Sequence, residues 1–222
     1  MTATRQQTSV ADYFDREAER FPLIGAKDRG MISRMVDRLF RRSIRLRFER
    51  VMELCRPIEG RTVLDIGCGT GTYAIRLAQR GASHVLGIDP APRMIELARE
   101  RAEARGVAPQ CTFEVTSLKD LTIEKPFDYI VVMGVLDYIS DAAPFVQKAI
   151  QATGIRACFS LPRYEGLLAW QRRLRYRNRC PLYMYRESDV TDLFAATGAS
   201  YQIERLARDW FVSVEYSTGA TT

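Results

Sequence analysis

An α/β fold, with a parallel sheet that ends in one reversed strand and is preceded by a helical segment, is predicted for the 222-residue chain by three observations. From Thr62 onward, short β-branched runs alternate with amphipathic helical stretches, the pattern of βαβ units around a parallel sheet. A glycine-rich turn, Gly67-Cys68-Gly69-Thr70-Gly71, lies between the first strand and the first helix of that series. The last two strand-like runs are separated by no more than Ala207 to Asp209, and so short a link joins antiparallel neighbours, because a parallel crossover needs about a dozen residues or more.

In chain order, 10–21 and 31–54 read as helices, the second with an apolar stripe of Met31, Met35, Leu39, Val51 and Leu54. Pro57 and Gly60 punctuate the junction, so 1–59 is assigned to a helical cap and 60–222 to the sheet domain on which it packs. Strands are expected over 62–66, 84–89, 111–116, 127–133 and 155–161, with helices over 73–80, 92–105 and 142–152 between them. An Arg- and Tyr-rich insert then runs to about Tyr185, a helix over 187–197 is stopped by Gly198, and strands over 201–206 and 210–216 finish the chain.

Composition narrows the function classes. At 46% hydrophobic the chain is long enough for one sizeable core and short for two ordinary domains. No apolar run approaches the roughly 18 residues that span a bilayer, and the start, MTATRQQTSVADYF, lacks an apolar signal segment, so a cytoplasmic protein is expected. Cys55, Cys68, Cys111, Cys158 and Cys180 form no CxxC pair, which fits reduced thiols rather than a zinc site or a disulfide framework. His84 is the only histidine, so a histidine triad or a multi-His metal site has no second member and no metal is expected.

Net charge is +6, and the excess is clustered. Arg34, Arg38, Arg41, Arg42, Arg45, Arg47 and Arg50 crowd one segment; Arg163, Arg172, Arg173, Arg175, Arg177 and Arg179 crowd another. Either these are solvated faces, or they attract an anionic substrate, a lipid headgroup or a nucleic acid.

The glycine turn carries the chemistry. In Val63-Leu64-Asp65-Ile66-Gly67-Cys68-Gly69-Thr70-Gly71 an acidic residue lies near the strand end, and small residues let backbone approach a ligand ahead of a helix N-terminus. Asp89 ends the next strand, 18 residues beyond Gly71, where a carboxylate can accept hydrogen bonds from both ribose hydroxyls of an adenosine-containing ligand. A nicotinamide fingerprint would be GxGxxG, but Thr72 holds the place of its third glycine.

VLDIGCGTG, GIDPAPRMIELAR and FDYIVVMGVLDYI together resemble the consecutive motifs of class I S-adenosylmethionine-dependent methyltransferases, over Gly60 to about Tyr216. The resemblance implies a Rossmann-like seven-stranded sheet, order 3-2-1-4-5-7-6 with the last strand antiparallel. It implies S-adenosylmethionine as methyl donor and S-adenosylhomocysteine as product. By the same resemblance Asp65 orients the methionine ammonium group, and Gly67, Cys68, Gly69 and Gly71 form the turn against methionine and ribose. Asp89 binds the ribose, Pro90 and Met94 pack near adenine, and Met133 and Gly134 face the sulfonium. Helix-core packing is the competing account of Met94. In Phe113-Glu114-Val115-Thr116-Ser117-Leu118 the family commonly has an Asp for the adenine amino group where this chain has Ser117. A serine hydroxyl can still accept that bond, and the Leu118 N–H can serve the ring.

Such a transfer is an in-line displacement that asks the protein to hold nucleophile and methyl about 3–3.5 Å apart and aligned. A general base matters for a hydroxyl of high pKa and less for a carboxylate. Acceptor-side candidates are Asp137 and Tyr138 after the fourth strand, Arg163 and Tyr164 after the fifth, and Tyr13 on the first helix. For Tyr138 the alternative is a core aromatic, and for Arg163 and Tyr164 a solvated loop. The expected acceptor is an O or N atom of a small, anionic or lipid-linked molecule. The Met-Gly-Val-Leu after the fourth strand lacks the Pro-Pro-aromatic signature of amino-methylating nucleic-acid enzymes, and +6 is modest for a nucleic-acid partner. A nucleic-acid methyltransferase and a non-catalytic binding protein of the same fold are the alternatives, and a homodimer stays open.

Overall fold

The computed structural model describes Val10, Asp12, Tyr13, Asp15, residues 31–166 and residues 181–216, with the backbone alone over 31–41. Helix α1 (Met31–Leu54) precedes β1 (Thr62–Ile66), α2 (Thr72–Gln79), β2 (His84–Asp89), α3 (Pro92–Ala104), β3 (Cys111–Val115) and β4 (Phe127–Val132). Then come α4 (Ala142–Gln151), β5 (Thr153–Pro162), α5 (Glu187–Ala195), β6 (Ser200–Leu206) and β7 (Asp209–Glu215).

The strands form one sheet of order β3-β2-β1-β4-β5-β7-β6. Neighbours from β3 to β5 are parallel, and β7 runs antiparallel to both β5 and β6. The central strands read as continuous apolar runs because both faces are covered, as parallel sheets require. Along β1 and β4, Val63, Tyr129 and Val131 point into a core completed by α2, α3 and the end of α1, while Leu64, Ile130 and Val132 point into a core completed by α4 and α5. Gly87 in β2 lets the Phe113 ring pack closely against the strand, since a Cβ there would come within 2.6 Å of it.

The C-terminal part of α1 is fastened to the sheet. Arg50 pairs with Glu204 of β6. Arg156 of β5 donates to the Leu54 carbonyl at 2.7 Å, and Arg80 donates to the Met52 carbonyl at 2.8 Å. These bonds, with buried Val51, Met52 and Cys55, seat the helix on the sheet.

Most element boundaries lie within a residue or two of expectation, and three of the differences have a visible cause. Strand β5 starts at Thr153, two residues before the predicted Ile155, because Thr153 already pairs with Phe127 and its hydroxyl bonds back to the Ala149 carbonyl at 2.9 Å. Helix α5 ends at Ala195 rather than Thr197, whose hydroxyl donates to the Phe194 carbonyl at 2.6 Å. Strand β7 begins at Asp209, leaving a turn of Ala207 and Arg208 with Ala207 at φ 52°. Of the helix expected over 10–21, the described residues are helical. The rest of it lies outside the described residues, as do 167–180 of the insert with Arg172, Arg173, Arg175, Arg177 and Arg179.

Candidate functional site

The carboxyl ends of β1, β2 and β4 open into one cavity of about 1150 Å³. Its floor is the turn after β1, held where the Gly67 and Cys68 N–H groups both donate to the Ile88 carbonyl, at 2.8 and 3.0 Å. All three glycines have positive φ, but their surroundings differ. A Cβ on Gly67 would lie 2.3 Å from Val135 Cγ2, and one on Gly71 would meet Ala98, Ile75 and Phe113 at 3.2 Å. At Gly69 a Cβ would meet nothing within 4 Å. Gly67 and Gly71 therefore serve packing behind the turn, while Gly69 faces open cavity.

Asp89 stands across from that opening. Its Oδ2 accepts the Gly69 N–H at 3.0 Å and its Oδ1 the Ala91 N–H at 2.9 Å. Burial pushes its pKa above the ordinary carboxylate value, with those two N–H groups opposing. A carboxylate has about four lone-pair sites, so one on each oxygen remains to accept a ligand hydroxyl. Asp65 is 1% exposed and accepts the Ala74 N–H at 3.1 Å. Burial pushes its pKa up to about 7, and the nearby Asp89 adds to the shift.

The cavity brings together Gly67, Cys68, Gly69, Asp89, Pro90, Met94, Ser117, Leu118, Met133 and Gly134. Asp65 and Gly71 stand behind its wall instead of lining it. Ser117 donates its hydroxyl to Asp120 Oδ2 at 2.5 Å, and both residues line the cavity. Met94, also a lining residue, is 3% exposed and packs with Ala91 and Leu97.

The acceptor-side candidates divide. Asp137, 3% exposed, and Tyr138 line the cavity, as do Val10, Asp12 and Asp15 of the N-terminal segment, but Tyr13 does not. The structure takes Arg163 and Tyr164 away from it. Arg163 is 8% exposed, stacks 4.9 Å from the Trp210 ring centre and donates to the Ala207 carbonyl at 3.3 Å. Tyr164 lies under the Arg186 guanidinium at 5.0 Å, and its N–H donates to the Tyr185 carbonyl at 2.8 Å. Arg163 thus ties the β5 end to the β6–β7 hairpin, and the Tyr164 N–H ties it to the segment before α5.

Sequence reasoning missed Phe48 and Tyr73 and singled out Arg47 only as one of a cluster of arginines; all three line the cavity from α1 and α2. The signal available was helical spacing: Ile44, Arg47 and Phe48, at i, i+3 and i+4, share a face, and all three line the cavity. Arg47 Nη1 donates to Ser160 Oγ at 3.0 Å, and the same oxygen accepts the Gly134 N–H at 2.8 Å. Burial pushes the Tyr73 hydroxyl up to about 12 against the opposing pull of Arg47, so it stays a proton donor at neutral pH. One cavity thus combines a carboxylate and an open glycine with a buried guanidinium. Ligand pockets run to about 300–1,000 Å³, so the volume leaves room for a nucleoside ligand and a second molecule.

The family model described as "Methyltransferase domain" matches residues 63–153. A curated ubiquinone biosynthesis O-methyltransferase from Methylocella silvestris is 41% identical over 114 residues, 51% of this chain and 40% of that protein. The match thus spans about two fifths of that relative's length. A magnesium-protoporphyrin O-methyltransferase from Rhodobacter capsulatus is 31% identical over 216 residues, covering 92% of both chains. Among solved structures, magnesium protoporphyrin IX methyltransferase from Synechocystis PCC 6803 with bound SAH superposes with a TM-score of 0.74 at 21% identity, over 96% of this chain and 100% of that one, a likeness of fold.

Proposed function

Because the chain belongs to the class I S-adenosylmethionine-dependent methyltransferases, we propose that it methylates an oxygen atom of a largely apolar small molecule bearing an anionic group. The observation that carries the reading is the single cavity joining the glycine turn and Asp89 to Arg47 and to an apolar lobe. S-adenosylmethionine supplies an activated methyl group on its sulfonium when bound. Asp89 would hold the ribose hydroxyls through its two remaining lone pairs. Ser117, its own proton committed to Asp120, would present lone pairs to the adenine amino group. Asp65 would favour the ammonium group from behind the wall, through a water or by its charge. Arg47, at the Gly134 end, would pair with the methionine carboxylate.

On the acceptor side Ile44, Phe48, Val135, Ile139 and Phe145 offer apolar surface, and Arg45 and Arg208 add positive charge to the lining. That combination suits a flat apolar body with an anionic substituent, and the similarity to enzymes named for ubiquinone and magnesium-protoporphyrin O-methylation supports an oxygen acceptor. A carboxylate acceptor needs no general base. For a phenolic acceptor Asp137 is the candidate base, with Asp12 and Asp15 the other lining carboxylates not assigned to the donor or to Ser117.

Protein incubated with methyl-labelled S-adenosylmethionine and a panel of apolar carboxylic acids and phenols is expected to yield a labelled product. Mild alkali releases the label from a methyl ester and leaves it on a methyl ether, which separates the two acceptor chemistries. No calorimetric heat with either S-adenosylmethionine or S-adenosylhomocysteine would defeat the proposal.

A further inference from the structure

A buried polar chain runs from the cap helix to the C-terminal hairpin and ends at the cavity wall. Ser43 donates its hydroxyl to Asp209 Oδ2, and Arg47 Nε lies 3.6 Å from the same oxygen. The chain continues through Arg47 Nη1 to Ser160 Oγ, which also takes the Gly134 N–H. Ser43 and Ser160 are fully buried, Asp209 is 1% exposed and Arg47 9%. Arg47 and Gly134 line the cavity, whereas Ser43, Ser160 and Asp209 stand behind them.

Anchorage of α1 does not require this chain. The helix is already tied down by Arg50–Glu204 and by the bonds from Arg156 and Arg80 to its last turn. A buried ion pair is moreover a poor way to gain stability, because desolvating both charges offsets their attraction and apolar packing of equal volume does as well or better. What the chain does achieve is orientation. An arginine side chain has about 2 kcal/mol of rotamer freedom to lose when it is held in one geometry. Here Asp209 and Ser160 hold the guanidinium before any ligand arrives. One hydroxyl oxygen also gathers both the Arg47 and the Gly134 donors, so cation and turn share a single register.

We propose that Asp209 and Ser160 are positioning residues that aim Arg47 and the Gly134 turn at the amino-acid end of the methyl donor, so that β5 and the C-terminal hairpin support from behind a wall lined by α1 and the turn after β4. The proposal rests on the donor-site reading above. Its distinctive consequence is selectivity within the ligand: Asp89 is the residue assigned to the ribose, whereas Asp209 and Ser160 act on Arg47 and Gly134.

The test uses two ligands of the full-length protein, S-adenosylhomocysteine and 5′-methylthioadenosine, which shares the adenosine and thioether but has no amino-acid end. Ser160→Ala and Asp209→Asn are expected to weaken S-adenosylhomocysteine binding about tenfold, the scale of one hydrogen bond to a charged group, and to change methylthioadenosine binding by less than about twofold. In an Arg47→Met background, Ser160→Ala is expected to cost less than it does in wild type, the remainder being the share carried by the Gly134 N–H. Equal losses for both ligands, or full additivity with Arg47→Met, would overturn the positioning role. Should Asp209→Asn fail to fold, Ser160→Ala and Ser43→Ala carry the same comparison. If wild-type protein binds neither ligand, the donor-site reading falls and this role with it; if it binds both and the variants lose both alike, the positioning role alone falls.

Discussion

Asp65 couples the site to proton activity through burial. Its folded pKa is raised to about 7 by loss of solvent, above an unfolded value of about 3.9. The folded state therefore holds the proton more tightly, and this group's stabilising effect is complete below about pH 4 and is lost as pH rises through about 7. Urea titrations between pH 4.5 and 6.5 should show wild type losing stability relative to Asp65→Asn, by at most about 1.4 kcal/mol per pH unit; a constant difference would contradict it. If Asp65 favours the donor's ammonium group, binding at pH 6.5 should also release protons, which calorimetry in buffers of different ionisation enthalpy detects. The glycines make a second contrast. Gly69→Ala has room for its Cβ and costs about 1 kcal/mol for the left-handed backbone, so it should fold yet lose ligand affinity. Gly67→Ala adds a collision with Val135 and should lower the urea midpoint further. Such positions were legible in the sequence because strand, turn and acidic tip are local. Arg47 was visible as one arginine in a cluster of seven, but only tertiary packing decides which of them faces a cavity. Arg163 shows the converse, a plausible loop cation that Trp210 and the Ala207 carbonyl absorb.

At the scale of elements, strand and helix order and the final hairpin could be read from the periodicity and the short link between β6 and β7. Element ends could not, because they are settled by bonds such as Thr153 to Ala149 that no periodicity reports. Capping by a distant residue is another such case. Helix α3 starts with Ala91 at its N-cap, which offers no side-chain acceptor, and Asp15 Oδ1 takes the Arg93 N–H at 2.8 Å from 78 residues away. An N-cap acceptor is worth about 1 kcal/mol, and asparagine caps nearly as well as aspartate. Asp15→Ala should therefore lower stability by about 1 kcal/mol with an unchanged denaturant slope, and Asp15→Asn should restore most of it. Equal midpoints for wild type and Asp15→Ala would show that the contact contributes nothing in solution.

Over the whole molecule, the division into a cap at 1–59 and a sheet domain at 60–222 is a statement about sequence pattern, and the packing argues for one cooperative unit. Val51, Met52, Cys55 and Ile58 of the N-terminal part share a core with Val63, Tyr129 and Phe211, so removing them would open the sheet face they cover. The Ser43, Arg47 and Arg50 contacts join that helix to β5, β6 and β7, strands more than 100 residues further along the chain. Strand β7 lies between β5 and β6 with all but its last residue buried, so the hairpin forms its full set of bonds only once β5 is in place. Contacts this far apart in sequence should make the described core melt as a unit. Scanning calorimetry is expected to give one transition whose calorimetric and van't Hoff enthalpies agree, raised in midpoint by S-adenosylhomocysteine through mass action. Two resolved transitions, with the ligand shifting one alone, would mean instead that the cap helix and the sheet are separate folding units and that Arg47 reaches the cavity only after they dock.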